Sequence, residues 1–127
     1  MIITIFNEGT YLLLDSTDGS KDDFAVLHSP VVSTSKQYGC LSFRYNMHGD
    51  NIGSLEFNFF DVSSRLMTLM WKLEGTQGAW THGQFPLPTG QNLTDYKLYI
   101  IGRLGGPKSS DLAVDDITFQ TNDCDGI

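Results

Sequence analysis

The sequence predicts an all-β protein, an antiparallel sandwich of two sheets. Three observations carry this prediction. About eight short apolar segments of strand length recur at roughly 10–15-residue spacing. The strongest of them alternate apolar and polar residues with period two, and no segment of helical length repeats with period 3.6. The chain has 127 residues, 40% of them hydrophobic and 12% aromatic, which suits one folded domain with a single core. The expected domain is therefore the whole of residues 1–127.

Taken in order, Met1–Phe6 is an apolar, β-branched run read as an edge strand, and Asn7-Glu8-Gly9 is a turn. Tyr11–Leu14 is the next strand. Asp15 to Asp23 is a surface loop rich in Ser, Thr, Gly and Asp. Its acidity fits either solvated surface or an oxygen-rich cation site. Phe24–Leu27 is a short strand stopped by His28-Ser29-Pro30, with Val31 and Val32 continuing it along an edge, where a proline is tolerated.

The stretch Tyr38–Phe60 holds the clearest pattern. Leu41, Phe43, Tyr45 and Met47, then Leu55, Phe57 and Phe59, occupy alternate positions; Ser42, Arg44, Asn46, Glu56 and Asn58 lie between them. Alternation assigns the first set to a buried sheet face and the second to water. His48 to Gly53 carries turn chemistry in two glycines, Asp50 and Asn51. The expectation is two half-buried antiparallel strands joined by a tight connection. Beyond them, Leu66–Leu73 is apolar on both faces and contains Trp71. Ala79–Phe85 contains Trp80, and Tyr96–Ile101 and Leu112–Phe119 complete the set. Asp115-Asp116 interrupts the last strand. Acids there need a partner, a metal or an irregular backbone, so one of them points inward or sits at a bulge.

Composition excludes several functions. A net charge of −7 and a pI near 4.6 lack the basic footprint of a nucleic-acid binder and repel an anionic membrane surface. No apolar run approaches the roughly 20 residues of a membrane span, so direct insertion by this chain is not expected. Met1–Phe6 lacks the basic region and cleavage site of a secretory leader. If the protein is extracellular, the chain is expected to be a piece of something longer. His28, His48 and His82 are scattered, and no serine sits in a GxSxG elbow. Gly102–Pro107 does not fit a phosphate loop. Asp22/Asp23 and Asp115/Asp116 could suggest a glycosidase, but neighbours on a strand point to opposite faces, so neither pair can act alone and only a pair drawn from distant segments stays open. Cys40 and Cys124 are the two cysteines; without a CxxC spacing, zinc is not expected. They are either buried thiols or one long-range disulfide. Asn92-Leu93-Thr94 is an N-glycosylation sequon, which points to an oxidising compartment.

Several motifs, in order, resemble the MAM domain, the extracellular module of meprin, the A5 antigen (neuropilin) and receptor phosphatase mu. They are Gly9-Thr10-Tyr11 with Asp15-Ser16, then Ala25-Val26-Leu27-His28-Ser29-Pro30. Cys40-Leu41-Ser42-Phe43-Arg44-Tyr45-Asn46-Met47-His48-Gly49 is the most specific. Gly53-Ser54-Leu55 follows, then Trp71, Gly75, Gln77-Gly78 and Trp80, with the last spacing one residue short. Gly102, Gly105, Asp111–Ile117 and Cys124 close the match. The family's usual opening segment, with two further cysteines and acidic residues, has no counterpart; Met1–Phe6 stands in its place or the chain is a fragment.

The resemblance implies a jelly-roll (concanavalin-like) sandwich with Cys40 bonded to Cys124. It implies a non-catalytic adhesion or oligomerisation module of a larger surface or secreted protein, working through a protein partner or self-association. It also implies a structural calcium or sodium ion near the acidic strand ends, with Asp15 and Asp115 as the residues carried over. Two rival functions remain: a lectin-like sandwich using exposed Trp71 and Trp80 to bind glycan, and an accessory domain of a meprin-like metalloprotease.

Overall fold

Alternation in the sequence becomes two layers whose apolar sides meet. The computed structural model describes residues 2–5, 11–15, 24–49, 52–75, 77–105 and 110–124. Its strands are β1 (Ile2–Ile5), β2 (Tyr11–Asp15), β3 (Phe24–His28), β4 (Cys40–Gly49), β5 (Ile52–Asp61), β6 (Met67–Glu74), β7 (Gln77–Pro86), β8 (Tyr96–Leu104) and β9 (Ser110–Gln120). There is no helix among the described residues. One sheet has five strands in the order β1-β2-β9-β4-β7, the other four in the order β3-β8-β5-β6, and every paired neighbour is antiparallel. Only β1–β2 and β5–β6 are consecutive strands that pair; the other successive strands lie in opposite sheets, as in a jelly roll. The strand expected at the N-terminal edge is β1.

One expectation changes. β4 and β5 do not form a hairpin. β4 pairs with β7 and β9, while β5 pairs with β6 and β8. Their connection crosses from one sheet to the other. Alternation marks which side of a strand is buried and is silent about its neighbour, so both strands read as halves of one ribbon when they are opposing walls of the core.

That core is Leu41, Phe43, Tyr45 and Met47 of β4, with Phe85, Leu112 and Val114 beside them, against Leu55, Phe57, Leu98 and Ile100 of the other sheet. Phe43 and Phe57 stack across the gap with centroids 4.2 Å apart. The Trp71 ring stands edge-on to both, 4.9 Å from Phe43 and 5.8 Å from Phe57. Gly83 is the partner of Phe43 on β7, and a Cβ there would sit 2.6 Å from two atoms of that ring. The missing side chain is what lets the ring lie over the neighbouring strand.

Cys40 and Cys124 form a disulfide with Cα atoms 4.9 Å apart, spanning 84 positions. It ties the start of β4 to the segment after β9 and marks an extracellular, oxidising setting. Closing a loop of that length restricts the unfolded chain by about 4–5 kcal/mol in the chain-entropy model. A Cys40→Ser/Cys124→Ser double variant is expected to lose about 4 kcal/mol, read by urea unfolding; an unchanged midpoint and slope would contradict this.

Tyr96 is fully buried, stacks on Phe59 at 4.3 Å, and its hydroxyl has no hydrogen-bond partner among the described residues. Burial, with a smaller contribution from Tyr38, pushes its pKa up to about 12. The unfolded chain releases this proton near pH 10 and the folded one near pH 12, so stability is complete below pH 10 and falls above it. The expected loss is about 2 kcal/mol by pH 12. Tyr96→Phe should remove most of that slope, leaving the smaller part due to Tyr45, whose pKa burial also raises. At neutral pH the same variant should be no less stable, since the hydroxyl it removes is unpartnered. Urea unfolding from pH 8 to 12 checks both.

Candidate functional site

The sandwich leaves two outer faces, and both carry side chains that the core does not use. On the five-stranded sheet, β4, held between β9 and β7, turns Ser42, Arg44 and Asn46 outward. Arg44 registers with His82 on β7 and with Asp115 on β9, and Trp80 precedes His82 by two positions on the same side. Arg44, Trp80 and Asp115 line an open depression of about 210 Å³.

Two irregularities make this depression. Ser42 pairs with Thr118 but Arg44 with Asp115, so Phe43 faces two residues of β9, Asp116 and Ile117. Asp116 has φ 52°, the left-handed region that Asp tolerates better than most residues. Its N–H donates to Asp115 Oδ1 at 2.8 Å. The acidic pair is thus the chemistry of a β-bulge, one of the two solutions the sequence allowed. On the other side Tyr45 pairs with Thr81 and Met47 with Gln77, so β7 bulges through Gly78, Ala79 and Trp80 opposite Asn46. Asn46 Oδ1 is buried there without a partner among the described residues. Bulges on both sides of β4 re-aim the flanking side chains. The result is an indole 40% exposed, an exposed guanidinium and a half-buried carboxylate. Among the described residues no ion pair joins Arg44 to Asp115, which leaves the guanidinium and the Asp115 oxygen not bonded to the Asp116 N–H to meet a ligand.

The four-stranded sheet presents a different surface. Its outward side carries Phe24 and Val26 of β3, Tyr99 and Ile101 of β8, Phe60 of β5, and Met67 and Leu69 of β6. Phe24, Val26, Met67 and Leu69 are each 40–53% exposed. At one end Glu56 joins Lys72 at 3.6 Å and Arg103 at 3.8 Å, and Arg103 lies 5.1 Å over the Phe24 ring. These contacts touch all four strands. His28 stacks on Tyr99 at 5.2 Å. The apolar plateau with a charged border has the anatomy of a protein-binding surface.

The two tryptophans separate. Trp71 packs in the core against Phe43, Tyr45 and Phe57, so it cannot serve a sugar platform, while Trp80 is on the outside. Asp15 and Asp115 lie on adjacent strands but not on one rung: Asp15 pairs with Asp111 and Asp115 with Tyr11. Four rungs separate them, about 13 Å along the sheet, too far for both to ligate one ion directly. The side chains of Asp15 and Asp111 lie outside the described residues, as do residues 16–23 of the acidic loop with Asp22 and Asp23, and residues 106–109. Among the described residues no three His, Cys, Asp or Glu gather as a metal group. Asn92 is exposed in a turn. His28 and His82 are exposed; the His48 side chain is outside the described residues. Arg44 was legible only as a polar alternate, because what matters about it is its register, and no local signal carries that.

The chain matches the family model of the MAM domain, meprin/A5/mu, over residues 4–125. It is 32% identical over 121 residues to chicken (Gallus gallus) MAM domain-containing glycosylphosphatidylinositol anchor protein 1, covering 92% of this chain and 12% of that protein. It is 28% identical over 117 residues to Xenopus laevis neuropilin-1, covering 91% of this chain and 12% of that protein. The chain therefore spans about one-eighth of the length of these relatives. Among solved structures it resembles a family 29 carbohydrate-binding module, TM-score 0.60 at 9% identity, over 95% of this chain and 75% of the other. It also resembles a family 16 module, TM-score 0.55 at 13% identity, over 89% and 77%. At such identities the likeness is one of fold, a β-sandwich. Motif order, disulfide and family match agree, and the chain belongs to the MAM domain family.

Proposed function

We propose that this domain is a non-catalytic recognition module that makes protein–protein contacts or self-associates as one part of a larger surface or secreted protein. The single observation that carries this is the apolar outer face of the four-stranded sheet. Phe24, Val26, Met67 and Leu69 are exposed there beside the Glu56–Lys72–Arg103 cluster. Burying such a plateau is favourable by about 25 cal/mol per Å², while the charged border sets orientation more than strength. Membership in a larger protein is supported by the 12% share of each relative that the match occupies. A non-catalytic role is supported by the scatter of the histidines and by the use of Asp115 and Asp116 in a backbone bulge. Asn92 is carried as the glycan acceptor, and its exposed turn supports that reading.

Beads coated with the domain are expected to cluster with one another or to adhere to cells displaying the partner. Leu69→Arg and Val26→Arg should each cut that adhesion about tenfold or more and leave the melting temperature unchanged, since both side chains already face solvent. Adhesion untouched by both variants would refute this surface.

The structural cation is carried as a proposal centred on Asp15 and not on Asp115. Added calcium should then raise the melting temperature of the wild type and of Asp115→Asn but not of Asp15→Asn. Loss of the calcium response in Asp115→Asn alone would reverse that assignment.

A further inference from the structure

The opposite face supports a different ligand. We infer that the depression formed by Arg44, Trp80 and Asp115 binds a neutral glycan, one sugar ring seated on the Trp80 indole with its hydroxyls held by Arg44 and Asp115. This inference is independent of the protein-binding face and stands or falls separately from it.

Shape and chemistry both point this way. A volume of about 210 Å³ falls below the roughly 300–1,000 Å³ of sites for drug-sized ligands. It suits a single ring of an extended chain and not a folded loop. A pyranose has an apolar face of C–H groups and a rim of hydroxyls, each both donor and acceptor. An exposed indole matches the first. A guanidinium that only donates and a carboxylate that only accepts match the second. Hydrogen bonds to charged groups are the stronger kind, and here the two charges are cross-strand partners with no ion pair to break.

The alternatives fit less well. An acidic glycan meets Asp115 within the depression and a net charge of −7 around it, so sialylated and sulfated chains are disfavoured. A basic peptide meets Arg44. The ligand that uses both charges without opposing either is neutral and hydroxyl-rich. The site is also built on paired strands: all three side chains are on β4, β7 and β9, and the bulges beside β4 position two of them, as a preorganised site requires.

The test uses the complete 127-residue chain, screened on an array of neutral, sialylated and sulfated oligosaccharides. The best neutral oligosaccharide is then titrated while the two tryptophan indole N–H signals are followed by NMR. Trp80→Phe assigns the signals. The expected result is saturable movement of the Trp80 signal with Kd tighter than about 1 mM and little movement of the half-buried Trp71 on the inner face. Trp80→Ala and Arg44→Ala, both at exposed positions, should each weaken binding about tenfold or more. Asp115→Asn keeps an acceptor for the Asp116 N–H, and so the bulge, and should weaken binding less. Leu69→Arg should leave binding unchanged. Absence of any neutral glycan on the array, preference for acidic chains, or binding that survives Trp80→Ala would each overturn the inference.

Discussion

The contact between Phe43 and Phe57 is the constraint on which the rest of the structure depends. Among the described aromatic pairs it is the tightest that joins the two sheets, ring on ring at 4.2 Å, and Trp71 closes the same cluster from β6. Fully burying a side chain of this size contributes about 1.5–3 kcal/mol. Its importance is also geometric. A ring that reaches across the gap needs space on its own sheet, and the neighbouring strands give way on both sides. On β7 the rung opposite Phe43 is Gly83. On β9 the rung is doubled, with Asp116 and Ile117 together facing it.

From that accommodation follows the shape of the outer face. The β9 bulge requires a residue in the left-handed region, and Asp116 fills it, its amide held by the carboxylate of Asp115. The same bulge brings Asp115 level with Arg44. Three rungs away β7 makes its own irregularity and delivers Trp80 to the same region. The surface depression and the core are therefore one piece of engineering seen from two sides. A polar group on the outer face is positioned by how an aromatic ring is housed on the inner face.

Much of this was legible in the sequence, and the limit is physical. Period two marked Leu41, Phe43, Tyr45, Met47, Leu55 and Phe57 as core; it also assigned Ser42 and Asn58 to water, yet both are buried, and Phe59 is only half-buried. The bulge at Asp115-Asp116 was legible because two acids in an apolar strand have few tolerable solutions. Pairing was not legible. The same alternation suits a hairpin and two opposing walls, so β4 and β5 read as neighbours. Trp71 sits in an apolar run and Trp80 among Gly78, Ala79, Thr81 and His82, but that contrast does not say which face either ring takes; β6 turns Leu73 and Trp71 inward and then slips register at Met70. Gly83 looked like any glycine, since its role exists only beside Phe43. The separation of Asp15 from Asp115 was hidden for the same reason: adjacency of strands is a property of topology, and the rung count a property of register.

The two outer faces answer different physical problems. The four-stranded sheet exposes large apolar groups, which favour a broad partner able to exclude water over several strands. The five-stranded sheet offers one aromatic ring and two opposite charges in a small hollow, which favours a small polar ligand making few, directed contacts. A single recognition surface would have to compromise between these chemistries. A sandwich does not, because its core residues point inward and its disulfide sits at the start of β4, on the rung of Pro86 and away from Trp80 along β7. With cohesion supplied from within, each outer face is free to vary, and the net charge of −7 discourages indiscriminate contact with anionic surfaces from either side. That separation of what holds the fold from what meets the outside explains how one domain can present two unrelated surfaces.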